Sequence, residues 1–181
     1  MSGPNIFEPE FDDQSAREGF RYRDAWIGRR AGSERLGASL YEIAPGESTF
    51  PYHWHAGNEE LLIVLRGTAA LRTPDGWREV TEGELVAFPR GERGAHQLVN
   101  RGRQPARFLM LSEMHSPEVC VYPDSGKIGP RVWARGGRET SMRLNFLAGD
   151  AVDYWRGEEP PEPQPGEGPP GASEGERAAG P

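Results

Sequence analysis

The residues best suited to chemistry in this chain lie in one short stretch, HWHAGNEELLIVLRG, from His53 to Gly67. Two histidines stand one residue apart. A Gly/Asn turn follows, then Glu59 and Glu60, then the aliphatic run Leu61 to Leu65. The chain has only 4 histidines, so placing two of them beside its most apolar segment calls for a reason. They are either packed aromatic rings at a strand end or metal ligands.

Strand geometry makes the second answer possible without deciding it. Side chains alternate along a strand, so in PYHWH the rings of His53 and His55 share one face while Tyr52 and Trp54 take the other. The turn AGN reverses the chain. On the return strand Glu60, Leu62 and Val64 share a face. If that face is the one the histidines use, two imidazoles and a carboxylate converge. A third imidazole is available from GAHQLVN, where His96, Leu98 and Asn100 share a face. Three nitrogens and one oxygen suit a divalent transition metal such as Fe, Mn, Ni, Co or Zn. An octahedral ion held this way keeps two positions for substrate, water or dioxygen. A glutamate turned into an apolar interior is costly unless paired, and a cation removes that cost.

The surrounding sequence supplies the elements that would position these groups. GFRYRDAWI, LGASLYEIA, ELLIVL, TAALRT, WREV, ELVAFP, HQLVN, ARFLMLS and EVCVY are short and rich in aliphatic or aromatic residues, as strands are. APGES, AGN, TPDGW, TEGE, PRGERG, NRGRQP and PDSGK separate them as turns. Long amphipathic helices are missing from the pattern. The expectation is an all-β sandwich, barrel or jelly roll. GDAVDYWRG reads equally well as a short helix or a docking segment. From Arg156 the chain is Pro, Gly and Glu without aromatic or β-branched residues, and disorder is expected over 156–181.

Here a resemblance adds to the reading. PGESTFPYHWHAGNEELLIVLRG resembles the first motif of the cupin superfamily, with Gly46, His53, His55, Glu60 and Gly67 at the motif positions. GELVAFPRGERGAHQLVN resembles the second, through Gly83, Pro89, Gly91, His96 and Asn100. The stretch between them is short, as in small bacterial cupins. The chain departs from the pattern by one extra residue between Gly46 and His53 and two between Gly91 and His96. Both fall where turns absorb length cheaply. The resemblance implies a cupin jelly-roll (double-stranded β-helix) barrel over residues 20–155, preceded by an N-terminal arm over 1–19. It implies that His53, His55, Glu60 and His96 bind one metal inside the barrel, and that the protein is a homodimer, with GFRYRDAW as a contact.

Function is less determined than fold, because cupins host many activities. The favoured reading is a metal-dependent enzyme acting on a small polar metabolite, a sugar or carboxylate, by isomerase, dioxygenase or decarboxylase chemistry. A non-catalytic binding or sensing module and a purely structural barrel stay open. Glu59, Tyr41, Tyr52, Trp54, Gln97 and Lys127 are residues to watch near the site, and alternation turns Tyr52, Trp54 and Gln97 away from the metal. Arg90 and Arg93 precede His96 and either meet an anionic substrate or are ordinary surface arginines. Lys127 is the one lysine among 21 basic residues, either a required amine or a solvated turn residue.

Bulk properties narrow the partners. A net charge of -7 argues against nucleic acid and anionic membrane surfaces. No aliphatic run approaches the length of a membrane-spanning helix. The acidic opening MSGPNIFEPEFDD lacks a basic-then-apolar leader, so a cytoplasmic location is expected. Cys120 is the single cysteine, and its setting PEVCVYP suggests a buried strand position.

Overall fold

The computed structural model describes residues 3–133 and 140–160. Within the first compact unit, residues 1–150, the described chain is built almost wholly of antiparallel strands. Strands β1 (Asp13–Arg17), β2 (Phe20–Ala25) and β3 (Gly37–Ile43) come first, with a one-turn helix α1 (Ile27–Arg30) between β2 and β3. The central strands are β4 (Trp54–His55), β5 (Glu60–Arg66), β6 (Thr68–Thr73), β7 (Gly76–Thr81), β8 (Leu85–Phe88), β9 (Gln97–Val99) and β10 (Ala106–Ser112). They are followed by β11 (Glu118–Tyr122), β12 (Lys127–Trp133), β13 (Thr140–Arg143) and β14 (Phe146–Leu147).

These strands form a six-stranded sheet in the order β1-β2-β3-β10-β5-β8, a second in the order β13-β12-β11-β4 with β14 also on β12, and a third in the order β7-β6-β9. The main core lies where their inner faces meet. Leu62 and Val64 of β5, Leu71 of β6, Val80 of β7, Phe88 of β8, Leu98 of β9 and Phe108 of β10 are all buried in it. Alternation explains the choice. Leu62 is fully buried while its neighbours Leu61 and Ile63 are only half-buried.

Two glycines show why the connections hold. Gly67, between β5 and β6, has φ +76, and a Cβ there would lie 3.3 Å from the Pro105 carbonyl oxygen. Gly94, in the longer loop before His96, packs so closely that a Cβ would meet the Pro89 carbonyl oxygen at 1.8 Å. Neither position accepts a side chain without moving backbone.

The expected strands are present, several with the bounds read from sequence: β6, β10 and β11 match TAALRT, ARFLMLS and EVCVY residue for residue. One expectation needs correction, and one left open is partly answered. PYHWH is not one continuous strand. Only Trp54–His55 is strand, and His53 is tied by an isolated bridge to His96, because the chain here crosses between sheets. The segment GDAVDYWRG is not a regular α-helix. It holds a single 3-10 turn at Ala148–Asp150, and beyond that residue the second unit, described only to residue 160, contains a local turn in which the Arg156 N–H donates to the Asp153 carbonyl at 3.1 Å. Most of the tail for which disorder was expected, residues 161–181, lies outside the described residues.

Candidate metal centre

His53 and His96 face each other through a backbone bridge. The His96 N–H donates to the His53 carbonyl at 2.8 Å, and the His53 N–H returns the bond at 3.2 Å. Each ring is then fixed by its own upstream carbonyl, His53 Nδ1 to Pro51 O and His96 Nδ1 to Gly94 O, both 2.9 Å. A ring that donates from Nδ1 leaves its Nε2 lone pair free, which is the arrangement metal-ligating histidines use. Glu60 enters from the start of β5, on the same face as Leu62 and Val64. Its Oε2 lies 3.4 Å from His96 Nε2 and 3.3 Å from His55 Nε2.

The ligand atoms of His53, Glu60 and His96 all lie within 4.8 Å of one another. His55 stands between this group and a second one. Its Nε2 faces Glu60, while its Nδ1 lies 3.6 Å from Cys120 Sγ and 3.8 Å from Glu118 Oε1. His55, Glu118 and Cys120 also meet the 4.8 Å criterion among themselves. Glu118 is buried and fixed by the N–H groups of Ala56, Gly57 and Val119 and by Asn58. A carboxylate behind a histidine orients the ring and raises its basicity.

The cluster's electrostatics follow from this packing. Burial, with His96 and His55 close by, pushes the His53 pKa down to about 3. Burial also lowers that of His96. For His55 burial acts downward, but contacts with Cys120, Glu118 and Glu60 outweigh it and the pKa rises. Burial would raise Glu60, yet the His55 contact and the charges of the three rings hold it below the usual carboxylate value. Neutral His53 and His96 beside ionised Glu60 are in the protonation states a cation needs, whereas His55, favoured here in its protonated form, has to give up its Nε2 proton to ligate. His55 Nε2 is buried and has no hydrogen-bond partner among the described residues, although Glu60 is near. That orphaned nitrogen beside a carboxylate fits a divalent ion, which would satisfy both.

The cluster opens into a cavity of about 330 Å³. Tyr41, Phe50, Phe108 and Met110 supply apolar walls, and Cys120 and Tyr122 of β11 close another side. Burial raises the pKa of the Tyr41 and Tyr122 hydroxyls, so both stay protonated at neutral pH.

Of the watched residues, Tyr41 lines the cavity. Tyr52 lies under the Arg72 guanidinium, 3.9 Å from the ring centre, outside the cavity. Trp54 is also outside it, as alternation required. Gln97 corrects the expectation. It borders the cavity because its amide folds back to donate to Phe50 O at 3.1 Å. Glu59 is exposed, and Lys127 sits 5.1 Å over the Tyr122 ring. Arg90 is exposed near Glu113, and neither it nor Arg93 lines the cavity. Asn100 serves the fold. Its Nδ2 donates to Ile43 O and Gln104 O at 3.0 and 2.8 Å. The arginines that do line the cavity are Arg131 and Arg143, with Trp133 beside them. Sequence reasoning passed over Arg131 and Trp133 because β12, KIGPRVW, carries Gly129 and Pro130 and so does not read as a strand, and Arg143 stands on β13, which was not among the expected strands.

A β-barrel with a buried His/Glu cluster facing a partly open cavity is the arrangement of a cupin, and residues 39–112 match the cupin domain family model, Cupin_2. The chain carries a cupin domain. It is 29% identical over 99 residues to germin-like protein subfamily 3 member 3 of Arabidopsis thaliana, an alignment covering 51% of this chain and 46% of that one. The chain thus spans about half the length of this curated relative. Among solved structures it resembles a sugar phosphate isomerase of the cupin superfamily from Silicibacter pomeroyi, with TM-score 0.70 and 22% identity, covering 83% of this chain and 95% of that one. It also resembles a provisionally assigned sugar phosphate isomerase from Acidithiobacillus ferrooxidans, with TM-score 0.66 and 23% identity, covering 79% and 86%. At these identities the likeness establishes a shared fold. Among the described residues no helix is long and apolar enough to cross a membrane.

Proposed function

We propose that the chain is a metal-dependent cupin enzyme acting on a small polar metabolite, with His53, His55, Glu60 and His96 holding one divalent transition metal (Fe, Mn, Ni, Co or Zn). The observation that carries this reading is the meeting of His53, Glu60 and His96 ligand atoms within 4.8 Å beside the orphaned His55 nitrogen. When bound, such an ion polarises a substrate oxygen as a Lewis acid. The protein's own part is to fix the rings through Pro51 O and Gly94 O, to hold His55 against Glu118, and to exclude water with Phe50, Phe108 and Met110. Tyr41 and Tyr122, kept protonated by burial, donate hydrogen bonds to the substrate rather than abstract protons. Isomerase, dioxygenase and decarboxylase chemistry all fit this frame. The reading also takes the chain as a cytoplasmic homodimer, associating through the β1–β2 edge of the six-stranded sheet.

A second reading, a metal-dependent binding or sensing module without turnover, draws support from one feature. Outside the four proposed ligands, the titratable groups on the cavity wall among the described residues are the two phenols, Cys120 and two arginines. None is a carboxylate or imidazole placed as a general base. Both readings share the metal. Thermal unfolding with and without added Mn, Fe, Co or Ni tests it. The wild-type protein is expected to gain about 4 kcal/mol at metal concentrations 1,000-fold above Kd, and His96→Ala to lose most of that gain. Equal metal responses of the two proteins would overturn the ligand assignment. Substrate-dependent turnover by the metal-loaded protein would then separate enzyme from binding module.

A further inference from the structure

We propose that Arg131, Trp133 and Arg143 form an oxyanion subsite, which takes a carboxylate or phosphate group of the small molecule whose other end meets the histidine–glutamate cluster. This rests on reading that cluster as the centre where the small molecule is held. The three residues come from one sheet and line the same cavity as His53, His55, Glu60 and His96. Arg131 of β12 and Arg143 of β13 stand directly opposite each other in an antiparallel pair, so their side chains leave the same face. Two like charges directly opposed across strands are destabilising unless an anion lies between them.

Arg131 is the more telling of the two. It is 8% exposed, and no carboxylate lies within 4.0 Å of either guanidinium among the described residues. Its strand partner Glu118 turns its carboxylate away, toward Gly57 and Asn58. Neutral acceptors hold Arg131 instead: Pro130 O and Leu144 O on Nη1, Asn145 Oδ1 at 2.9 Å and the Tyr122 hydroxyl at 3.4 Å on Nη2. The guanidinium is therefore fixed in direction and keeps its charge uncompensated. Gly129 is part of this arrangement, because a Cβ there would stand 2.9 Å from Arg131 Nη1. Trp133 adds a second donor. Its indole Nε1–H is buried and has no hydrogen-bond partner among the described residues. A buried unpaired donor and an unpaired buried cation are both costly, and one oxyanion satisfies them together. The four Nη hydrogens of Arg131 already go to those neutral acceptors, so it offers the oxyanion its charge, and the planar, two-toothed contact that suits carboxylate and phosphate alike falls to Arg143.

The test is calorimetric titration of the full-length, metal-loaded protein with inorganic phosphate, with succinate and with glycerol as the neutral control. Saturable binding of phosphate or succinate, and none of glycerol, is expected. Trp133→Phe keeps an aromatic ring but removes the five-membered ring that carries the N–H, and Arg143→Gln alters an exposed residue. Each is expected to weaken binding about tenfold or more while metal content stays at the wild-type value. Arg131→Gln should weaken it further, but its own contacts make the other two variants the decisive ones. Preference between phosphate and succinate then tells which oxyanion the site takes. No saturable binding by the metal-loaded wild type, or equal affinity in wild type, Trp133→Phe and Arg143→Gln, would overturn the subsite and leave the metal reading standing. Conversely, arginine-dependent anion binding by a protein that takes up no metal would support the subsite and remove the metal.

Discussion

Replacing Glu118 by Gln should cost far more than the loss of one surface charge. The carboxylate is 1% exposed. Its Oε1 accepts from the N–H groups of Ala56, Gly57 and Val119 at 3.0, 3.2 and 2.9 Å, and its Oε2 accepts from Asn58 Nδ2. Asn58 cannot turn its amide over to suit a new partner. Its Nδ2 also donates to His115 O at 3.3 Å and its Oδ1 accepts from His115 N. A glutamine whose oxygen keeps the three backbone donors must therefore point its NH2 at the NH2 of Asn58. Losing a hydrogen bond to a charged group costs roughly 1.5–3 kcal/mol, and a buried donor left without an acceptor about 1–3 more. The sum is about 2.5–6 kcal/mol, a Tm drop on the order of 5–24 °C for a chain of this size. Denaturant and thermal unfolding of Glu118→Gln, Asn58→Ala and the double variant measure it. The cycle should be non-additive, because removing the Asn58 amide relieves the clash. A loss under about 1 kcal/mol, or strict additivity, would refute the reasoning.

Gly94→Ala should displace the loop that carries His96, since its Cβ would stand 1.8 Å from backbone. A drop in metal uptake together with stability is expected, where Gly76→Ala, strained by its φ of +113 but with open space at its Cβ, should cost stability and leave metal uptake unchanged. Acid should weaken the fold partly through Glu42. Burial acts to raise its pKa, but hydrogen bonds and charge from Arg23 and Arg107 win and lower it below 4.5. Its contribution is therefore full above pH 4.5 and lost as pH falls through the depressed folded value. Unfolding of wild type and Glu42→Gln at several pH values should show a gap at pH 7 that closes toward pH 3. A gap that is constant with pH would contradict this.

Much of the fold was legible because its signals are local. ARFLMLS and TAALRT announce strands by composition, and the motif glycines and histidines fixed which strands carry the site. Alternation offered convergence of His53, Glu60 and His96 only on the condition that Glu60 shares the histidines' face, and the resemblance in motif spacing supplied that condition. What escaped was set by tertiary packing. His53 is held by a bridge to His96 across the barrel, which no local pattern encodes. β1 reads as DQSAR, with nothing apolar beyond one alanine, and it forms because β2 offers an edge. β12 was hidden by Gly129 and Pro130, and with it went Arg131 and Trp133. Arg90 and Arg93 drew notice because they neighbour His96 in sequence, whereas the cavity's arginines reach it from the far sheet. Glu118, too distant in sequence to suggest a role, stands behind His55 because β11 pairs with β4.

The most direct test of the central claim is elemental analysis of the untagged protein, purified without chelator, beside His53→Ala/His96→Ala. The account predicts near-stoichiometric Fe, Mn, Ni, Co or Zn in the wild type and loss of that metal in the variant. Absence of metal from both, with stability indifferent to added metal, would contradict it.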